Sequence, residues 1–98
     1  MVKERKYWGM VVPIHAAIIE MMAKNAEQQG LEGVFAPQVW GPPFTSLAVA
    51  AAHTENIKIA SGIAIAAARS PFETAMAAID LDRISNGRFI LGLGSSVE

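Results

Sequence analysis

The sequence predicts an α/β fold assembled from parallel β/α units, and three observations carry that prediction. Short apolar runs alternate along the chain with stretches of helical periodicity, giving the order strand, helix, strand, helix, strand, helix, strand. The strand centres lie roughly 23 to 32 residues apart, the span of one β/α unit. The strands are near-continuously apolar rather than alternating, which means burial on both faces of a sheet. A doubly wound open sheet and a (β/α)8 barrel both accommodate this order, with right-handed crossovers in either. An open sheet usually carries a phosphate-binding glycine loop after its first strand. Here that junction is Pro13-Ile14-His15-Ala16, without glycine. The expectation is therefore the first half of a TIM (β/α)8 barrel, since a complete one needs about 250 residues and this chain has 98.

Each element has its own signal. Met10-Val11-Val12-Pro13 reads as the first strand. From about Ala16 to Gln29, Ala17, Ile18, Met21, Met22 and Ala26 recur at spacings of three to four, with Glu20, Lys24, Glu27 and Gln28 mostly on the other face. Gly30 ends that helix. Leu31 to Ala36 is the second strand, and Pro37 to Phe44 is a loop punctuated by Pro42-Pro43. Thr45 or Ser46 is expected to cap a helix from Leu47 to about Thr54. Ile57 to Ile65 is a β-branched third strand. Pro71 suits the first turn of a helix that runs to about Ser85 and stops at Asn86-Gly87. Arg88 to Leu93 is the fourth strand, and Gly94 to Glu98 begins a loop.

Composition narrows the function. Hydrophobic residues make up 52% of the chain and charged residues 17%, rich for a small domain and fitting for a piece of a larger body. Residues 1–98 are expected to form one truncated barrel domain, first half only, cut after its fourth strand. A net charge of −1 provides no footprint for nucleic acid or an anionic membrane. The absence of cysteine excludes disulfides and thiolate metal sites, and no His/Asp/Glu cluster has metal-ligand spacing. The charged start, Met1 to Lys6, is not followed by a signal-peptide pattern, and no apolar run approaches the roughly 18 residues of a membrane span. A cytoplasmic protein acting on a small-molecule substrate is the expectation.

The segment Ala68-Arg69-Ser70-Pro71, followed by Ala75 to Ile79 and then Asp80-Leu81-Asp82-Arg83-Ile84-Ser85-Asn86-Gly87-Arg88-Phe89-Ile90-Leu91-Gly92-Leu93-Gly94, resembles the third helix and fourth strand of luciferase-like monooxygenases. In that family a proline opens the helix, an alanine-rich stretch leads to an Asp and a Ser-x-Gly-Arg turn, and the strand ends Leu-Gly-x-Gly. The resemblance extends back through Thr54 to Ile59 and Gly33-Val34-Phe35 to the first helix. The Ala-Arg-Ser-Pro loop and the Gly-Leu-Gly-Ser ending are most similar to the branch that uses the deazaflavin coenzyme F-420. The resemblance implies an oxidoreductase, with hydride transfer or monooxygenation on a deazaflavin (F-420) or FMN cofactor. The cofactor then supplies the reactivity, and the protein supplies orientation and water exclusion.

In a barrel those functional groups sit on the loops after the strands. The resemblance implies a bulge with a non-proline cis peptide at Gly62-Ile63, backing the ring. Family relatives place His, Asp or Glu near the position of Gln38 and an aromatic residue shortly after it. Here Gln38 is neutral and can hydrogen-bond without acting as an acid or base, and Trp40 is the large ring on the Gly/Pro loop. Ser95 and Ser96 are candidates for hydrogen bonds to the cofactor's pyrimidine edge. The candidate cofactor-binding set is thus Gln38, Trp40, Gly62, Ile63, Ser95 and Ser96, with no catalytic residue assigned. The Glu of sugar-phosphate dehydrogenases in this group falls at Val97, with Glu98 one place late. In the family the cofactor's phosphate tail is expected on later loops.

The remaining polar residues read as structural. Asp82 with Arg83 or Arg88 suggests a local ion pair and turn, His53 a cation at a helix C-terminus, and His15 an N-terminal helix residue. Two functions from different classes stay open: an oxidoreductase whose isolated fragment is inactive, or a non-catalytic βα half-barrel module acting by self-association. Open strand edges and an uncovered inner face make a homo-oligomer the expectation for the chain.

Overall fold

The computed structural model of the protein describes residues 7–39 and 41–95. Its elements are β1 (Trp8–Met10), α1 (Ala16–Gln28), β2 (Gly33–Ala36), α2 (Phe44–Ala52), β3 (Lys58–Ser61), β4 (Ala64–Ile65), a 3-10 turn (Ala66–Ala68), α3 (Pro71–Ile84), β5 (Phe89–Ile90) and β6 (Leu93–Gly94). The main sheet is entirely parallel, in the order β1-β2-β3-β5, and β4 pairs in parallel with β6. The third and fourth predicted strands are therefore each present in two pieces. The alignment of β3 beside β5 continues as β4 beside β6, so the unbroken order 1-2-3-4 expected of a barrel holds.

Register separates two faces. Gly9, Val34, Ile59 and Phe89 lie in one row, and Val34 and Ile59 are buried there together with Val11, Ile19, Ala23, Leu47, Ala50 and Leu81. This is the helix-covered side: α2 packs between α1 and α3. The alternate row is Met10, Phe35, Ala60 and Ile90, with Met10 and Ile90 about half exposed on the uncovered face. Period-two alternation places these neighbours on opposite sides.

Several boundaries differ from those read in the sequence. The first strand lies at Trp8–Met10 rather than Met10 to Pro13, although the Val11 N–H still donates to Phe35 O at 2.9 Å. The Trp8 ring lies over Gly33, where any Cβ would collide with it, so an aromatic and a glycine open the first two strands as a packed pair. The second helix starts at Phe44 with Pro43 at its cap position and no side-chain cap, while Ser46 is buried inside it. Proline's restricted φ, here −71°, pre-sets the first turn without a hydroxyl. The third helix matches closely, with Pro71 at its start and the Ser70 hydroxyl accepting from the Glu73 N–H at 3.1 Å. Asn86 (φ 58°) and Gly87 (φ 85°) turn the chain after it in the left-handed region that their residue types favour.

At the N-terminal ends of the strands, Arg88 binds the frame together. Its Nε donates to Ser85 O (2.6 Å), Nη1 to Thr54 Oγ1 (2.9 Å) and Ile57 O (2.7 Å), and Nη2 to Ala51 O (3.1 Å) and Thr54 O (2.9 Å). The predicted local ion pair with Asp82 is not formed; backbone carbonyls take the guanidinium instead. Nearby, Glu27 Oε2 accepts the N–H groups of Glu55, Asn56 and Ile57 at 2.9, 2.6 and 3.1 Å, tying α1 to the loop before β3.

Large exposed apolar side chains concentrate on the two outermost units. Trp8, Met10, Ile14, Ile18 and Met21 mark one edge, and Phe72, Met76, Ile79, Ile90 and Leu93 mark the other. Helix α2, in the middle, carries none of them.

Candidate functional site

The C-terminal ends of the strands gather the loops where the sequence placed the cofactor residues. The chain breaks its extended path between β3 and β4, and the Gly62-Ile63 peptide bond there is cis, at the position the family resemblance implied. A Cβ on Gly62 would lie 2.9 Å from the Phe35 ring. Ile63 is 40% exposed, and its side chain reaches over Gly94, leaving no room for a Cβ there. Gly92 closes on the Ser61 backbone carbonyl in the same way, and Ser61 Oγ both donates to Gly92 O and accepts from Gly92 N–H, each at 2.9 Å. Gly92 and Gly94 thus let β5–β6 approach β3–β4 closely, Gly62 makes room for Phe35 of β2, and Ile63 stands as a part-exposed apolar shelf between them.

Gln38 stands beside this shelf and is fully engaged on its oxygen. Its Oε1 accepts from the Ile65 N–H at 2.7 Å and from Arg69 Nη2 at 3.0 Å. Arg69 Nη1 lies 3.4 Å from Ile65 O, and its guanidinium stacks over the Phe44 ring at 5.1 Å. Phe44 in turn meets Phe89 edge to face, with centroids 6.5 Å apart. Sequence reasoning assigned Arg69 no role, although it is the cation in an otherwise alanine-rich loop at this end of the sheet. That isolation was the available signal.

Of the predicted set, the structure brings Gln38, Gly62 and Ile63 to one end of the sheet. Ser95 lies exposed just after β6. Trp40 and Ser96 lie outside the described residues. His15 caps α1, its Nδ1 accepting the Ala17 N–H at 3.1 Å, and His53 ends α2 with Nδ1 3.7 Å from Glu20 Oε2. Among the described residues no group of three His, Cys, Asp or Glu is arranged to hold a metal ion, and no helix is long and apolar enough to cross a membrane.

The family model for luciferase-like monooxygenases matches residues 9–98. The chain belongs to that family. A luciferase-like segment of this kind is 40% identical over 91 residues to a Mycobacterium tuberculosis protein provisionally named a coenzyme F-420-dependent oxidoreductase, covering 92% of this chain and 25% of that one. The structure is similar to the coenzyme F-420-dependent tetrahydromethanopterin reductase of Methanopyrus kandleri, with a TM-score of 0.84 and 29% identity over 97% of this chain and 28% of that one. The oxygenating constituent of the 3,6-diketocamphane monooxygenase of Pseudomonas putida, solved with FMN, shares the fold with a TM-score of 0.83 at 20% identity, covering 95% and 30% of the two chains. The luciferase-like chain spans about a quarter of the length of the curated relatives it matches.

Proposed function

We propose that this chain contributes the first four strands and three helices, as a single domain, to an oxidoreductase barrel that works with a deazaflavin (F-420) or FMN on a small-molecule substrate. The observation that carries the reading is the shelf at Gly62-Ile63. It is apolar, part open at Ile63, packed tightly where Phe35, the Ser61 carbonyl and Ile63 itself fill the space beside Gly62, Gly92 and Gly94, and placed at the C-terminal ends of parallel strands, where barrel enzymes keep their chemistry. The F-420-dependent names of two relatives and the FMN held by a third support the cofactor class. When bound, the ring supplies the hydride chemistry.

The chain's own residues bind and orient. Gly62 and Ile63 back the ring, Phe35 packs against Gly62, and Gln38 offers a hydrogen bond at the rim. Trp40, Ser95 and Ser96 are further candidates around it. With Gln38 neutral, none of these groups acts as a proton donor or acceptor in catalysis at neutral pH. The acid or base is expected on another part of the barrel or on the substrate.

The test is a chimaera in which residues 9–94 replace the matching segment of the mycobacterial relative, titrated with F-420 and with FMN beside the 98-residue chain alone. Micromolar binding of one ring by the chimaera, and none by the chain alone, is expected. A folded chimaera that binds neither ring overturns the reading. Full binding by the chain alone overturns the division of labour between this part and the rest of the barrel.

A further inference from the structure

We infer that Arg69 is a positioning residue. It locks the Gln38 carboxamide in one orientation, so that the barrel mouth presents an N–H donor to an acceptor oxygen on the bound ring or substrate. The inference rests on the proposed function for the identity of the ligand, but the locking rests on geometry alone. A carboxamide carries an acceptor on one side and two donors on the other. Both groups that point at Gln38 Oε1, the Ile65 N–H at 2.7 Å and the Arg69 guanidinium at 3.0 Å, are obligate donors. Rotating the amide by half a turn would set donor against donor twice, so the orientation is forced by chemistry.

The amide nitrogen is then directed away from both partners. Among the described residues no buried side-chain nitrogen or oxygen lacks a hydrogen bond. Gln38 Nε2 makes none to the described residues, so it is at least partly open at the strand ends. Arg69 is itself held: Phe44 lies under its guanidinium, Ile65 O lies by its second terminal nitrogen, and Phe44 is braced by Phe89. The arrangement is preorganised, since the donor is in place before a ligand arrives. It selects ligands with a carbonyl, carboxylate or phenolate oxygen at that point over ligands presenting a donor there.

The decisive variant is Gln38→Glu. A carboxylate keeps both acceptor contacts, strengthening the one to Arg69, but removes the donor. The chimaera bearing Gln38→Glu is expected to melt at the same temperature or higher and to bind its ring at least tenfold more weakly. Unchanged affinity would show that Gln38 only ties two loops, and would overturn the donor role. The locking is read in the full 98-residue chain and in the chimaera, without ligand, by a double-mutant cycle of Gln38→Met and Arg69→Met in thermal unfolding. Arg69→Met is expected to lower the melting temperature when Gln38 is present and to do so much less when it is replaced; additive shifts overturn the positioning. Arg69→Lys should recover part of the ring affinity that Arg69→Met loses. If the wild-type chimaera binds neither F-420 nor FMN, the proposed function fails and takes the donor role with it, while the cycle still decides whether Arg69 positions Gln38.

Discussion

At the N-terminal ends of the strands one guanidinium makes five hydrogen bonds and one carboxylate accepts three, whereas at the C-terminal ends Ser61 and Gly92 exchange two, Gln38 joins two loops through two, and Ile63 is left in the open. The same sheet is thus stapled at one end and loosely laced at the other. Barrel enzymes divide stability and chemistry between their two faces in this sense. The polar side chains with the most hydrogen bonds, Arg88 and Glu27, belong to the frame, and Ser61, Gln38 and Arg69, with two each, border the shelf.

The largest effect is expected at the stapled end. Arg88→Met removes the guanidinium donor from the carbonyls of Ala51, Thr54, Ile57 and Ser85. At roughly 1 kcal/mol for each net hydrogen bond, and with water replacing some of them, the loss should be about 3 kcal/mol. Urea denaturation of wild type and variant measures it; a loss below about 1 kcal/mol would erase the contrast between the ends.

A smaller effect belongs to Glu27, and it depends on pH. Burial pushes its carboxyl up, but the N–H groups of Asn56, Glu55 and Ile57, with Arg88 nearby, outweigh that and hold it below the usual carboxylate value of 4.5. A carboxyl lowered in the folded state contributes stability that is complete above the unfolded value and is lost as pH falls through the folded one. Glu27→Gln should cost about 1–2 kcal/mol near neutrality. The deficit should shrink on acidification below about pH 4.5, because the wild type loses the same interaction there. Melting curves from pH 7 down to pH 3 test it, and a constant difference across that range would contradict the role given to the three N–H groups.

How far the sequence discloses this contrast varies along the chain. Element order, the Pro71 start and the Asn86-Gly87 stop were legible because each rests on local chemistry: helical periodicity, a ring-fixed φ and a residue pair that tolerates positive φ. Strand ends were not, because Trp8 enters β1 only by lying over Gly33, a contact between residues far apart in the chain. Arg88 was one of two candidates, with Arg83, for a local ion pair with Asp82, since sequence proximity says nothing about carbonyls more than 30 residues away. At the shelf, Gln38 was legible as a polar residue on a loop after a strand, but its partner Arg69 lies 31 positions on. Only the fold brings the two together.

The smallest effect is expected at the open end. Ile63→Ser removes a side chain that is 40% exposed, so the loss of stability should stay under about 1 kcal/mol. Equal denaturation midpoints for wild type and variant, within that margin, would sharpen the picture of a shelf that spends little on the fold. A loss approaching that of Arg88→Met would place Ile63 in the core instead.

The even register of the sheet bears on how such a molecule comes into being. Trp8 pairs with Gly33, Gly33 with Lys58, and Ile59 with Phe89, offsets of 25, 25 and 30 residues. Every strand therefore meets its neighbour by closing a loop of nearly the same length, and the entropic toll of each closure is nearly the same, because it grows only with the logarithm of loop length. Sheet growth then resembles zippering rather than a search among distant partners, with modest contact order at each step. A nascent chain leaving the ribosome can add one unit at a time, and each addition hides the apolar rim left by the last while exposing a new one.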